Sequence, residues 1–293
     1  MQIFAANLSG TAMPSITELQ SIATQVRRDI VRMVHGIKSG HPGGSLGCAD
    51  FFTVLFFEVM KHNPSKFNME GTNEDVFILS NGHISPVYYS VLARSGYFPV
   101  EELKTFRKID SRLQGHPATA EHLEGVRVAT GSLGQGLSVA TGIALSKKIN
   151  NDPNYVYVLT GDGELQEGQN WEAIMFAAHN KVDNLIATVD FNGQQIDGST
   201  KDIMGFTVLS NKFEAFGWTV LEADGHDMQN LMDTLKKAKS LCGKQKPVVI
   251  IMHTEMGYGV DFMMGSHKWH GIAPDDAQLA AALEQLQGTI GDY

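Results

Sequence analysis

The sequence predicts an α/β fold, a mostly parallel sheet with helices on both faces. Two observations carry this. Short β-branched and aromatic runs recur at 76–79, 155–160, 185–190, 219–223 and 248–253. Helical patterns separate most of them, and that alternation is the mark of parallel strands joined by crossover helices. The runs stay apolar with little alternation, as strands covered on both faces do.

The elements follow in order. Residues 15–37 place Ile22, Val26, Ile30, Met33 and Ile37 at helical spacing, so one face of a helix packs. Residues 50–60 are apolar nearly all round, which predicts a buried helix. Residues 97–131 lack strong periodicity, and segments of that length are usually functional or mobile. Helices are expected at 133–149 and 167–181, each after a glycine-containing turn. Another spans 228–241 and stops at Gly243, before Pro247 opens a strand. A terminal helix is expected at 277–286. Residues 1–14 read as a tail and 15–293 as one domain.

Of the 293 residues, 43% are hydrophobic and 19% charged, ample for a core and unlike a disordered chain. A net charge of −9 argues against nucleic acid or an anionic membrane as partner. No apolar run is long enough to span a bilayer and no signal peptide opens the chain, so a cytoplasmic location is expected. Cys48 and Cys242 stand in no metal-ligand spacing and read as reduced, buried residues.

The chemistry concentrates between Val158 and Asn192. A strand runs into Gly161-Asp162-Gly163, a helix follows, and a second strand ends at Asn192, thirty positions after Asp162. Both turns then lie at carboxyl ends of parallel strands, where open sheets bind ligands. Glycines let backbone approach a phosphate. Asp162 and the Asn192 side-chain oxygen are hard donors suited to Mg²⁺ or Ca²⁺. A bare Gly-Asp-Gly is a common turn, and only its spacing to Asn192 favours a ligand site. Thr130 to Gly136 forms a glycine-rich turn opening a helix, fit for an anion or merely for close packing.

Eleven histidines are present. His41, His83, His116 and His270 each neighbour glycine, proline or another turn former, which places them on loops that present chemistry. Neutral-pH hydrogen bonding and proton transfer would be their use. Glu164, Glu167 and Glu172 open the next helix, where acidic groups suit the helix dipole.

Together SGHPGG, SNGH, QGHP, GSLGQG, GDGELQEGQNWEA with its downstream Asn, and KWHG resemble transketolase, from about Ile16 to Ala273. The resemblance implies the thiamine diphosphate-binding fold, specifically the domain that holds the diphosphate. It implies a divalent metal, Mg²⁺ with Ca²⁺ or Mn²⁺ as substitutes, held by Asp162, Asn192 and the Gln194 carbonyl. Gly163 would touch the diphosphate, and Gly131 and Leu133 the aminopyrimidine side. Ser132, Gly161 and Glu167 complete the cofactor-binding set. His41 and His116 would face a sugar phosphate, and His83 and His270 the cofactor and reacting centre, His270 also meeting substrate. Glutamates matching Glu167 and Glu172 would sit at a subunit interface.

The resemblance covers only the first of three transketolase domains. A partner chain carrying the pyrimidine-binding domain is therefore expected, in an α₂β₂ assembly that transfers a two-carbon ketol unit. Other thiamine enzymes, such as a 2-oxo acid dehydrogenase subunit or a deoxyxylulose phosphate synthase, share GDG and Asn without the histidine motifs. A non-catalytic cofactor-binding module is the third reading. No role emerges for His226 or His267.

Overall fold

Five parallel strands form the sheet of the computed structural model, which describes residues 14–293, in the order β1 (Val76–Leu79), β2 (Val156–Gly161), β3 (Leu185–Phe191), β7 (Val248–His253), β6 (Thr219–Asp224). Of the expected tail, all but Pro14 lies outside the described residues.

The chain enters through α1 (Ile16–Ile37). Ser15 caps it reciprocally: its hydroxyl accepts the Glu18 amide, and the Glu18 carboxylate accepts the Ser15 amide. The helix ends at Lys38, whose φ of 52° leaves the helical region. Next come α2 (Pro42–Gly47) and α3 (Ala49–Val54), the latter running on as a π-turn over Leu55–Val59. The expected all-round apolar helix is thus α3 and its extension, with Phe51, Phe52 and Leu55 fully buried.

Strand β1 (Val76–Leu79) leads through a 3₁₀ turn to α4 (Ser85–Arg94). Beyond α4 the chain is irregular up to residue 135, with 3₁₀ turns at Val100–Thr105 and Thr119–Glu121. Side chains pin this segment: the Tyr88 hydroxyl donates to the Gly125 carbonyl, Tyr89 to Gln114 and Ser85 to Gly115. Then follow α5 (Gly136–Ile149), β2 (Val156–Gly161), α6 (Gly168–His179) and β3 (Leu185–Phe191). A hairpin of β4 (Gln194–Gln195) and β5 (Gly198–Ser199) precedes α7 (Thr200–Met204) and α8 (Leu209–Ala215). The chain closes with β6 (Thr219–Asp224), α9 (Met228–Leu241), β7 (Val248–His253) and α10 (Asp276–Gln285).

Side chains alternate across each strand and so feed two cores. Phe77, Leu79, Tyr157, Leu159, Ile250 and Met252 face α1, α3, α4 and α9. Val76, Ile78, Val156, Val158, Val249 and Ile251 face α5, α6 and α8. The alternation is invisible in the residue types because both faces are apolar.

The structure corrects several expected boundaries. The helix after the glycine-rich turn starts at Gly136 rather than 133, and the next at Gly168 rather than Glu167. The SGHPGGSLG run is not wholly loop, since α2 occupies its proline and glycines. There glycine serves close approach: a Cβ on Gly43 would lie 2.6 Å from Met256 and 2.8 Å from the Trp269 carbonyl. Cys48 and Cys242 are both free, Cys48 buried and Cys242 partly so. No described helix is long and apolar enough to cross a membrane.

Candidate functional site

A cleft of about 370 Å³ opens at the carboxyl ends of β1, β2 and β3. It is lined by His41, His83, His116, Gly131, Leu133, Gly161, Asp162, Gly163, Glu167, Asn192, Gln194 and His270 among others. Of the residues expected at the site, Ser132 is exposed and outside this lining. Glu172 also lies away from the cleft, on the exposed face of α6 with Met175 and Phe176.

Parallel pairing of β2 and β3 sets Gly161 opposite Asp190 and so brings the two turns together. Asp162, 1% exposed, accepts the Gly163 amide at 2.8 Å and the Gly193 amide at 2.7 Å. Burial, reinforced by the neighbouring Asp190 charge, pushes its carboxyl up to about 7. The Asn192 amide nitrogen donates to Asp190 at 2.9 Å, and its oxygen accepts the Gln194 amide at 2.9 Å. Asp190 also accepts the Thr254 hydroxyl.

Two buried carboxylates therefore stand side by side, with backbone amides, an amide side chain and a hydroxyl as their hydrogen-bond donors. No three His, Cys, Asp or Glu side chains gather into a metal cluster among the described residues. The donors here are instead the Asp162 carboxylate and the Asn192 amide oxygen, both hard oxygens. Such a set fits a hard cation that completes its shell with phosphate oxygens and water. A diphosphate also fits sterically. Gly163 has no side chain where a Cβ would meet Gln195 at 2.8 Å, and Gly131, at φ +123°, passes under the His116 ring.

Glu164 departs from the expected role of a helix-dipole acid. It lies in a 3₁₀ turn before α6 and is 2% exposed. One oxygen accepts the Ser80 hydroxyl at 2.5 Å and the Gly134 amide at 2.9 Å; the other accepts the Gly161 amide at 3.2 Å. It thereby fastens the glycine-rich turn to the ends of β1 and β2. Glu167 is the N-cap residue of α6, gives no capping hydrogen bond, and packs against Gly134.

The four singled-out histidines converge. His41 lies 5.1 Å from His83, 5.6 Å from His270 and 6.5 Å from His116, centroid to centroid. His83 and His270 are 5.0 Å apart with planes at 29°. Burial holds all four below the usual imidazole range, helped by the other cluster rings at His41 and His83, by Arg107 at His41 and His116, and by His267 at His270, and it takes His41 down to about 4. At neutral pH the rings are uncharged, each with one donor and one acceptor nitrogen. Among the described residues, the buried Nδ1 atoms of His41 and His270 and the buried Asn81 side-chain oxygen find no hydrogen-bond partner. All three residues line the cleft, and unpaired buried polar atoms of this kind mark a place where a ligand can satisfy them.

Two histidines without an expected role acquire surroundings. His226 stacks on Tyr258 at 3.6 Å, and its Nε2 accepts the Glu255 amide at 2.7 Å. Its Nδ1 must then carry the proton, pointing at Asp50, the buried partner of Arg27. The ring thus braces the loop that delivers Met256 to the cleft. His267 begins the 3₁₀ turn that carries His270.

Residues 19–289 match the family model described as transketolase, thiamine diphosphate binding domain. The chain is 40% identical over 274 residues to one subunit of the apulose-4-phosphate transketolase of Actinobacillus succinogenes, covering 93% of this chain and 97% of that one. It is 37% identical to a 6-deoxy-6-sulfo-D-fructose transketolase subunit of a Clostridium species, covering 92% and 96%. Against transketolase 1 of Escherichia coli the identity is 37% over 91% of this chain, but only 41% of the longer protein is covered. The solved transketolase of Campylobacter jejuni superposes with a TM-score of 0.86 at 38% identity, covering 93% of this chain and 43% of that one.

Proposed function

Because the chain belongs to the transketolase family, as a thiamine diphosphate-binding subunit of the two-chain type, we propose that its cleft holds a metal-bound diphosphate for ketol transfer between sugar phosphates. Asp162, the Asn192 side-chain oxygen and the Gln194 carbonyl would hold the cation, Mg²⁺ by preference with Ca²⁺ or Mn²⁺ as substitutes. Gly131, Leu133, Gly161 and Gly163 would admit the cofactor's backbone-facing edges. When bound, thiamine diphosphate supplies the electron sink for moving a two-carbon unit.

The protein's share is positioning and proton handling. The uncharged rings of His41 and His116 offer hydrogen bonds to substrate hydroxyls, the buried Nδ1 of His41 among them. His83 and His270, stacked deeper in the cluster, can hold or pass a proton between ring nitrogens and a hydroxyl. Neutral rings add no charge of their own to the cleft.

The observation that carries this reading is the convergence of the Asp162 and Asn192 turns with four neutral histidines in one cleft. The relatives named as transketolase subunits, matched over nearly their whole length, support a separate partner chain; we propose that it carries the pyrimidine-binding domain, in an α₂β₂ complex. The test is ketol transfer between sugar phosphates with Mg²⁺ and thiamine diphosphate, assayed with and without a pyrimidine-domain chain encoded beside this one. Turnover should need both chains. An enzyme-like rate from this chain alone would refute the partner, and no turnover of any sugar phosphate by the pair would refute the reaction.

A further inference from the structure

Arg107 lies beside the histidine cluster in an unusual setting. Its φ of +56° is in the left-handed region, which a non-glycine residue enters only when its surroundings require it. Its amide donates to the Leu113 carbonyl at 2.8 Å, closing a tight loop. Its Nη1 donates to the Ser39 hydroxyl at 2.7 Å, two residues before His41. Its guanidinium lies flat over Gly115, the residue before His116: a Cβ there would stand 2.7 Å from Nε and 2.8 Å from Cζ. Gly115 is thus glycine because the arginine occupies its side-chain space.

Among the described residues this group has no carboxylate partner; its Cζ lies 5.5 Å from the Phe106 ring centroid. Nε is buried with no hydrogen-bond partner among those residues, and burial pushes the guanidinium pKa down, opposed by the Tyr89 phenol. A half-buried cation without a carboxylate costs stability. Together with the left-handed backbone, that cost points to a use at the site.

We propose that Arg107 is a positioning residue for the substrate end of the cluster, fastening the segment that carries His41 to the one that carries His116 and setting a fixed positive charge beside both rings. The ionisable groups facing His41 are His83, His116, His270 and Arg107; those facing His116 are His41, His83 and Arg107. All are cationic when charged, so Arg107, the one permanent charge among them, disfavours protonation of both rings. Lowered pKa values of His41 and His116 agree with this. The consequence for turnover rests on the proposed function; the effect on the rings does not.

The test is histidine ring titration by two-dimensional NMR on the full chain, comparing wild type with R107Q and R107K. In R107Q the midpoints of His41 and His116 should rise by about half a pH unit or more. Exposed His179 and His253 should not move. R107K keeps the charge and should hold both midpoints near wild type. Unmoved midpoints in folded R107Q, or an equal rise in R107K, would overturn the electrostatic part. R107K also loses the planar fork, so in the two-chain enzyme KM for the sugar phosphate should rise about threefold or more, with kcat less affected. An unchanged KM would overturn the fastening part, and this arm decides even if R107Q does not fold. Failure of the chain to bind thiamine diphosphate would sink the proposed function and leave the titration result standing.

Discussion

The Asp190 carboxylate accepts a hydrogen bond from the Asn192 amide nitrogen at 2.9 Å, and this fixes which way the Asn192 oxygen points. An amide can flip; a buried carboxylate on one side leaves only its nitrogen that way. Asp190 is itself held by the Thr254 hydroxyl after β7, so β3 and β7 together orient the proposed cation ligand. We expect Asp190→Asn to lower Mg²⁺ affinity, measured calorimetrically with thiamine diphosphate present, by about tenfold or more. An unchanged affinity would show that the contact does not orient the ligand.

The proposed cation site should also bind in a pH-dependent way. Burial and Asp190 raise the folded-state pKa of Asp162 from 3.8 to about 7. A raised carboxyl holds its proton more tightly in the fold, so its contribution to stability is present at low pH and lost as pH rises through about 7. A cation binds the carboxylate and must displace that proton. Mg²⁺ affinity should therefore climb by up to about tenfold per pH unit below pH 7 and level off above it. Asp162→Asn should flatten the curve and weaken binding throughout. A wild-type affinity constant from pH 5 to 8 would remove Asp162 from the ligand set.

These two carboxylates differ in how well the sequence announces them. Asp162 stands between glycines at a strand end, and its spacing to Asn192 is legible. Asp190 reads as the last polar residue of a strand, and only the pairing of β2 with β3 shows that it touches the same site. The strands were legible because burial on both faces demands unbroken β-branched runs. Helix α4 was not: its residues from Ser85 to Ala93 are all buried, so no polar face gave it a period. Helix α2 was hidden by glycines chosen for contact with Met256, Ile84 and Glu255 rather than for a turn. The histidine cluster was legible as four loop motifs, but Arg107 carried no motif, and only its φ and its contact with Gly115 reveal it.

Glu164 gives a stability prediction of its own. It satisfies the Ser80 hydroxyl and the Gly134 and Gly161 amides from inside the protein. Glu164→Ala leaves three donors without an acceptor where water has little access. We expect a loss of ~3 kcal/mol in chemical denaturation. Glu164→Gln keeps the shape and one acceptor oxygen and should lose less. A loss below about 1 kcal/mol for the alanine variant would mean that water replaces the carboxylate.

The histidine cluster contributes stability that acid removes. His41 titrates at about 4 in the folded chain against 6.5 when free, chiefly through burial and then through His270, Arg107 and His116. Between those values the unfolded chain binds the proton and the folded chain does not, so the unfolded state gains as pH falls. The stability linked to His41 is complete above about pH 6.5 and disappears progressively toward pH 4, with an upper bound of ~3 kcal/mol. His83, His116 and His270 shift in the same direction and add to the slope. Asp75, Asp162, Glu164 and Asp190, whose carboxyls burial raises, oppose it, so the clean measurement is a difference. Urea unfolding of wild type and His41→Asn from pH 4 to 7.5 should converge toward low pH relative to their gap at neutrality, because asparagine has no proton to gain. A gap independent of pH would mean that the His41 ring is protonated as readily in the fold as outside it.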